Sequence, residues 1–345
     1  MLATLSPSGR SLLTVSSSGE GKIWCVETGR HMCELSGQVL SGVFSADGRR
    51  IAGTSDDGNA RVWCAETGRC LEKLFGHAED VMSATFSPDG GLIATASRDG
   101  TASVWCASSG RRQAALNGHK GAVVCVAFSL TGELVATASM DKSARLWSAA
   151  SGACLRELRG HEAASHSVVF SPTSDQILSA SFDGTIRLWE TASGECTQAL
   201  EAGGRAASTC RFSPDGASVL VAGGSDVIRL FCAATGECAL TLVGHTDHVR
   251  TAFFSPDGML IVSGSFDGTA RVWSAVTGVC LQILTSEKEN MVSSNVIVGY
   301  HHVPLPRDRL GRGGGVKAPV LDMPGESQRE VQRDQSAAFV DGKLA

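Results

Sequence analysis

Apolar and polar residues alternate along this chain in short runs, and helical spacing is absent. In Thr185-Ile186-Arg187-Leu188-Trp189 the period of two predicts a strand with one buried face. Runs of this kind stop at turn pairs such as Asp99-Gly100, Asp183-Gly184 and Asp267-Gly268, which close hairpins cleanly. The stretch SASFDGTIRLW, residues 179–189, returns nearly unchanged as SGSFDGTARVW, residues 263–273. Aligned on its aromatic residue, the chain gives Trp24, Trp63, Trp105, Trp147, Trp189, Phe231 and Trp273, with one step of 39 residues and then five of 42.

So strict a period marks a repeat array. Around each anchor the order is a Gly-His, an apolar stretch ending in Phe-Ser-Pro-Asp-Gly, a short strand, a Ser-x-Asp-Gly turn, the Trp strand and a Thr-Gly or Ser-Gly turn. Each unit therefore predicts four strands. One four-stranded sheet exposes both faces, whereas seven stacked radially bury nearly all of them. The expectation is an all-β protein: a seven-bladed β-propeller of four-stranded antiparallel blades over residues 1–285.

After Thr285 the period stops. Residues 286–345 carry Pro304, Pro306, Pro319, Pro324 and the run Gly313 to Gly315, a composition that predicts a low-complexity, disordered tail. Val292 to Gly299 stands apart, because its NVIVG run is apolar enough to pair with a sheet edge or to act as a short sticky linker. His301-His302 has no neighbouring ligands, so no metal is expected there.

These units resemble the WD-repeat family over about residues 2 to 285, through their period, their Gly-His pairs and their strand tryptophans. The Trp-Asp dipeptide is worn: Cys, Cys, Cys, Ser, Glu and Ser follow the six tryptophans. The resemblance implies a buried hydrogen-bond network joining histidine, hydroxyl, aspartate and tryptophan within a blade. Four blades carry the full set at 28, 10 and 6 residues before the Trp. They are His77, Thr95, Asp99 and Trp105; His119, Thr137, Asp141 and Trp147; His161, Ser179, Asp183 and Trp189; and His245, Ser263, Asp267 and Trp273. The second unit keeps Asp57 and Trp63, the first keeps Thr14 and Trp24, and the sixth, with Phe231, keeps none and is expected to be held by packing alone.

Serine, histidine and aspartate together suggest a nucleophilic triad. Their repetition points to structure instead, since catalysis needs one site with an oxyanion hole, and here Thr freely replaces Ser. No Gly-rich phosphate loop or metal-ligand spacing occurs, so no enzyme activity and no cofactor are expected.

Composition narrows the partners. Hydrophobic residues at 43% supply a core, Gly 40 suits many tight turns, and a net charge of -5 gives no reason to expect nucleic acid. No apolar run approaches the ~18 residues of a membrane span, and MLATLSPSGRSLL does not fit a secretory leader. The expected compartment is the reducing cytoplasm, with the nucleus open. Twelve cysteines without a CxxC pair read as small buried hydrophobes rather than a zinc set, although Cys64 with Cys70, and Cys232 with Cys238, could face each other across a hairpin.

Recurrent Arg61, Arg145, Arg187, Arg229 and Arg271, two before the aromatic, are expected to pack their stems against a neighbouring blade with solvated heads. The resemblance also implies where partners dock: the residue before the turn Asp and the residue three after the Gly-His histidine, on one face around the central channel. Those positions place Met140, Phe182 and Phe266 as apolar contacts, Asp56 and Asp80 as an acidic sector, and Arg98 and His248 beside them. The function so implied is a scaffold for proteins or peptides, itself a monomer. A finer version is a recognition or assembly subunit of a ubiquitin ligase, a chromatin complex or a ciliary or cytoskeletal assembly. The family usually closes its ring with a strand borrowed from the other terminus. Here Leu2 to Leu5 already reads as an inner strand and Cys280 to Thr285 as the last outer one. That leaves either side-chain packing between first and last blades, or a start lacking its leading strand.

Overall fold

A computed structural model of the chain describes residues 2–203 and 209–285. The tail expected at 286–345, with its NVIVG run and His301-His302, lies outside the described residues. The described chain is a seven-bladed propeller of four-stranded antiparallel sheets with no helix. The blades run Leu2–Glu34, Ser41–Leu74, Val81–Asn117, Val123–Arg159, Ser165–Glu201, Thr209–Leu242 and Val249–Thr285. Within each, the strands pair in chain order, because every connection is a hairpin.

Blade four shows how sequence sets register. Its strands are Val123–Phe128, Leu134–Ser139, Ser143–Ser148 and Cys154–Arg159. Val135 sits opposite Trp147 and Thr137 opposite Arg145, which places the hydroxyl two positions along from the ring it must meet. A bulge separates Leu146 from Trp147 against the fourth strand, and the same irregularity precedes the aromatic in all seven blades. An extra residue at that point raises the local twist that radial stacking needs. In the second turn, Lys142 occupies the place of the usual glycine at a φ of 72°, a left-handed conformation that costs a side-chain-bearing residue about 1 kcal/mol.

The core lies between the blades. Six buried apolar clusters join blade one to two, two to three, three to four, four to five, five to six and six to seven. At each seam one blade offers aliphatic residues and the next an aromatic with an Ile or Val, the aromatic being Trp except at Phe231 of blade six. Between blades three and four these are Ala94, Ala102, Val104 and Leu116 facing Val126, Val135 and Trp147.

Blade seven and blade one depart from this rule: side-chain packing between them, one of the two alternatives the sequence left open, does not form a buried seam in the described residues. Leu284 is 47% exposed, whereas its equivalents Leu35, Leu74, Leu116, Leu158, Leu200 and Leu242 are all buried. On the facing wall Val26 is 48% exposed, and Leu12 and Trp24 are only half-buried where other blades bury an Ile or Val and an aromatic completely. Glycines give an independent measure. A Cβ built on Gly48, Gly90, Gly132, Gly216 or Gly258 meets the preceding blade, and so does one on Gly68, Gly110, Gly152, Gly194, Gly236 or Gly278. The corresponding Gly9 and Gly29 of blade one meet nothing within 4 Å.

Blade six lacks the four-residue network but is not held by packing alone: Arg229 Nη1 donates to the Ala202 carbonyl at 2.5 Å, and Val249 N to the Ser225 carbonyl at 2.9 Å. With no histidine–aspartate brace it is expected to open locally before blades four and five. Amide exchange as slow in blade six as in those two would refute this.

Candidate functional site

The sets predicted for blades three, four, five and seven are assembled, each inside its own blade. In blade four, Trp147 Nε1 donates to Thr137 Oγ1 at 2.8 Å, and Thr137 Oγ1 lies 2.8 Å from His119 Nε2. An indole N–H can only donate, so the hydroxyl accepts from it and gives its own proton to His119 Nε2. That leaves Nδ1 protonated, and it donates to Asp141 Oδ2 at 2.9 Å. Blade three repeats the chain through Thr95, His77 and Asp99, blade five through Ser179, His161 and Asp183, and blade seven through Ser263, His245 and Asp267.

Two donors escaped the sequence reading. The backbone N–H after the histidine and a hydroxyl two residues after the aspartate complete each carboxylate. Asp141 accepts from Lys120 N at 2.9 Å, Ser143 N at 3.0 Å and Ser143 Oγ at 2.7 Å. Thr101, Thr185 and Thr269 fill the place of Ser143 elsewhere. A signal was available, since all four full sets have Ser or Thr at that offset.

These contacts set the protonation states. Burial pushes the Asp99 carboxyl up, but the Thr101 hydroxyl and the Ala78 and Thr101 amides outweigh it and hold it at about 2. Asp141, Asp183 and Asp267 are held well below the usual carboxylate range by the same balance. Burial pushes His77, His119 and His161 down, against the opposing pull of their aspartates. Each carboxylate is thus committed to local donors, and the four sets lie in four separate blades rather than converging on one cleft.

In blade two, Trp63 Nε1 turns to the Ser36 carbonyl at 3.0 Å, and Asp57 pairs with Arg61. Blade one keeps the Trp24 to Thr14 bond at 2.8 Å. The recurrent arginines do not leave their heads in solvent as expected. The Arg145 guanidinium lies 5.9 Å from the Trp147 ring centroid and bonds Glu157 at 2.5 Å. Gly118, before the histidine, has a φ of 155° that side-chain-bearing residues rarely adopt, and a Cβ there would also stand 2.4 Å from Arg145 Nη1 and 3.3 Å from the Trp147 ring. The cysteines are all free as expected, but only Cys210, whose thiol burial pushes up to about 12, is buried.

The seven predicted contact residues are exposed at one end of the strands. Backbone hydrogen bonds hold the two kinds of position side by side: Arg98 N to Asp80 O at 2.9 Å, Met140 N to Ala122 O at 2.9 Å, Phe182 N to Ala164 O at 3.0 Å and Phe266 N to His248 O at 3.0 Å. Both loops lie at the start of a blade's first strand, and first strands of successive blades touch one another, so these residues surround the centre. Phe182 is 50% exposed, with its ring centroid 4.8 Å from that of His166, and Phe266 is 52% exposed, with the Arg250 guanidinium 5.4 Å from its ring centroid.

The acidic sector is smaller than the sequence suggested. Asp80 faces Arg98 across 3.8 Å, and Asp57 is taken by Arg61, which leaves Asp56 beside them with only the Ser55 hydroxyl at 3.2 Å. Among the described residues no group of His, Cys, Asp and Glu side chains is arranged to hold a metal ion.

A family profile described as WD domain, G-beta repeat, matches residues 29–64, 68–106, 110–148, 152–190 and 236–274, together more than half of the chain. The chain belongs to the WD40 repeat family. The units ending at Trp24 and Phe231 fall outside the matched segments, and they are two of the three whose networks are incomplete. WD40 propellers generally bind other proteins as interaction scaffolds and are typically not catalysts. No curated protein matches the chain.

Proposed function

We propose that this WD40 propeller is a non-catalytic scaffold that captures a protein or peptide on the channel face. Met140, Phe182 and Phe266 supply the anchors, with Asp56, Asp80, Arg98 and His248 at the polar margin. The observation that carries the reading is that three large apolar side chains stand about half-exposed at equivalent turns of blades four, five and seven. A soluble surface keeps such residues in register on one face at a cost, and aromatic anchors beside charged groups are the usual makings of a binding hot spot.

The test is the double variant Phe182→Ser, Phe266→Ser in the full chain. Each anchor at hot-spot strength carries about 2 kcal/mol or more, so the pair should weaken partner capture by at least ~100-fold. Both rings are exposed at turns, so the unfolding free energy should change by no more than about 0.5 kcal/mol. Co-purification from native extract, quantified by mass spectrometry, reads the first quantity and urea titration the second. Capture that survives the double change intact rejects this face.

A further inference from the structure

The wall of blade seven formed by Val262, Ala270, Val272 and Leu284 matches, position for position, walls that every other blade buries against its successor. Leu12, Trp24 and Val26 of blade one hold the positions that meet the preceding blade in every other blade, and here Leu12 and Trp24 are only half-buried and Val26 is exposed. Both were built to receive something apolar, and Gly9 and Gly29 show that neither receives the other there.

We propose that this wedge is a docking groove and that its occupant is the chain's own segment 292–300, VSSNVIVGY. Three observations favour it. The segment follows the very strand whose Leu284 is uncovered, with six residues, 286–291, between Thr285 and Val292. At about 3.3 Å per extended residue that linker reaches roughly 20 Å, while four strands spaced about 4.8 Å apart span only roughly 14 Å, so every point across the wall is within range. Val292, Val296, Ile297, Val298 and Tyr300 also concentrate large apolar side chains within nine residues, with no charge among them. A tether this short holds the segment at an effective concentration in the millimolar range, so modest apolar contact suffices to keep it seated.

The propeller carries its own reporter. Of the six tryptophans, Trp24 alone is not fully buried, so iodide quenching of the fluorescence reads the wedge. In the full chain, amides of 292–300 should exchange at least ~10-fold more slowly than those of 325–345, and Trp24 should resist iodide. The triple variant Val296→Asp, Ile297→Asp, Val298→Asp leaves the blades untouched. It should abolish the slow exchange and raise the quenchable fraction, and adding Trp24→Phe should remove that fraction. Leu284→Asp, on the other side of the contact, should release the segment likewise. Exchange of 292–300 at the rate of 325–345 overturns the proposal. So does a Trp24 equally shielded with and without the triple change, which would mean blade seven closes directly on blade one. Shielding lost on dilution would assign the groove to a second copy and overturn it as well.

Discussion

Replacing Trp147 by alanine should destabilise the protein by about 3–5 kcal/mol, read as a shift of the urea midpoint at constant slope. The ring is wholly buried in the seam between blades three and four, against Val104 and Leu116 on one side and Val135 on its own sheet. Truncation opens a cavity that a sheet pinned on both edges cannot collapse to fill. It also deprives Thr137 of the donor at 2.8 Å that orients its hydroxyl toward His119. Trp147→Phe separates the two losses, keeping most of the buried area while removing the N–H. Blade six already lives with that choice, since Phe231 is buried at the same place. The phenylalanine variant should therefore cost about 1–2 kcal/mol. An unfolding free energy for the alanine variant within about 1 kcal/mol of wild type would show that the seam is not packed as described.

Asp141→Ala should cost about 3–4 kcal/mol, because one carboxylate satisfies four donors and its loss leaves His119 Nδ1, Lys120 N, Ser143 N and Ser143 Oγ without their acceptor. Its signature is a changed pH dependence. Asp141 titrates below its ordinary value of 3.8, so the unfolded chain binds the proton first, and the carboxylate's contribution is complete above that value and lost as pH falls further. His119 titrates below 6.5, so its contribution is full above 6.5 and is lost as pH falls from there, when protonation of Nε2 takes away the acceptor of the Thr137 proton. Wild type should thus lose stability in two stages, one beginning below about pH 6.5 and one below about pH 4. In Asp141→Ala the second stage should flatten by less than the share of one network in four, because turn carboxylates such as Asp47, Asp89, Asp175, Asp215 and Asp257 are also held low, as measured by urea midpoints from pH 7 to pH 3. An unchanged acid limb would show that Asp141 contributes nothing through its charge.

The blades were legible in the sequence because the fold repeats its own alphabet. Trp, hydroxyl, Asp and His recur at fixed offsets, and the structure joins them by bonds of 2.7–3.1 Å in all four complete sets. What escaped was either unindexed by that alphabet or dependent on distances between units. The hydroxyl of Ser143 looked like ordinary strand polarity until its 2.7 Å bond to Asp141 placed it in the network. Asp80 read as free acid because Arg98 lies 18 residues away and becomes its neighbour only when the first and second strands of blade three pair. Solvated arginine heads were inferred from length and charge alone, whereas a 5.9 Å approach to Trp147 depends on which way the third strand faces. The uncovered Leu284 has six buried twins, so only the rotation accumulated over seven sheets could reveal it.

With the wedge empty, the six buried seams among the described residues pass coupling energy along a row with two ends rather than round a hoop. Statistical mechanics treats such a row as a one-dimensional lattice: each sheet is steadied by its immediate neighbours, and melting starts at a terminus instead of requiring the whole circle to break at once. Thermal wear would accordingly reach the blades bearing Trp24 and Trp273 first, and the sector around Trp105, Trp147 and Trp189 would be the last to let go.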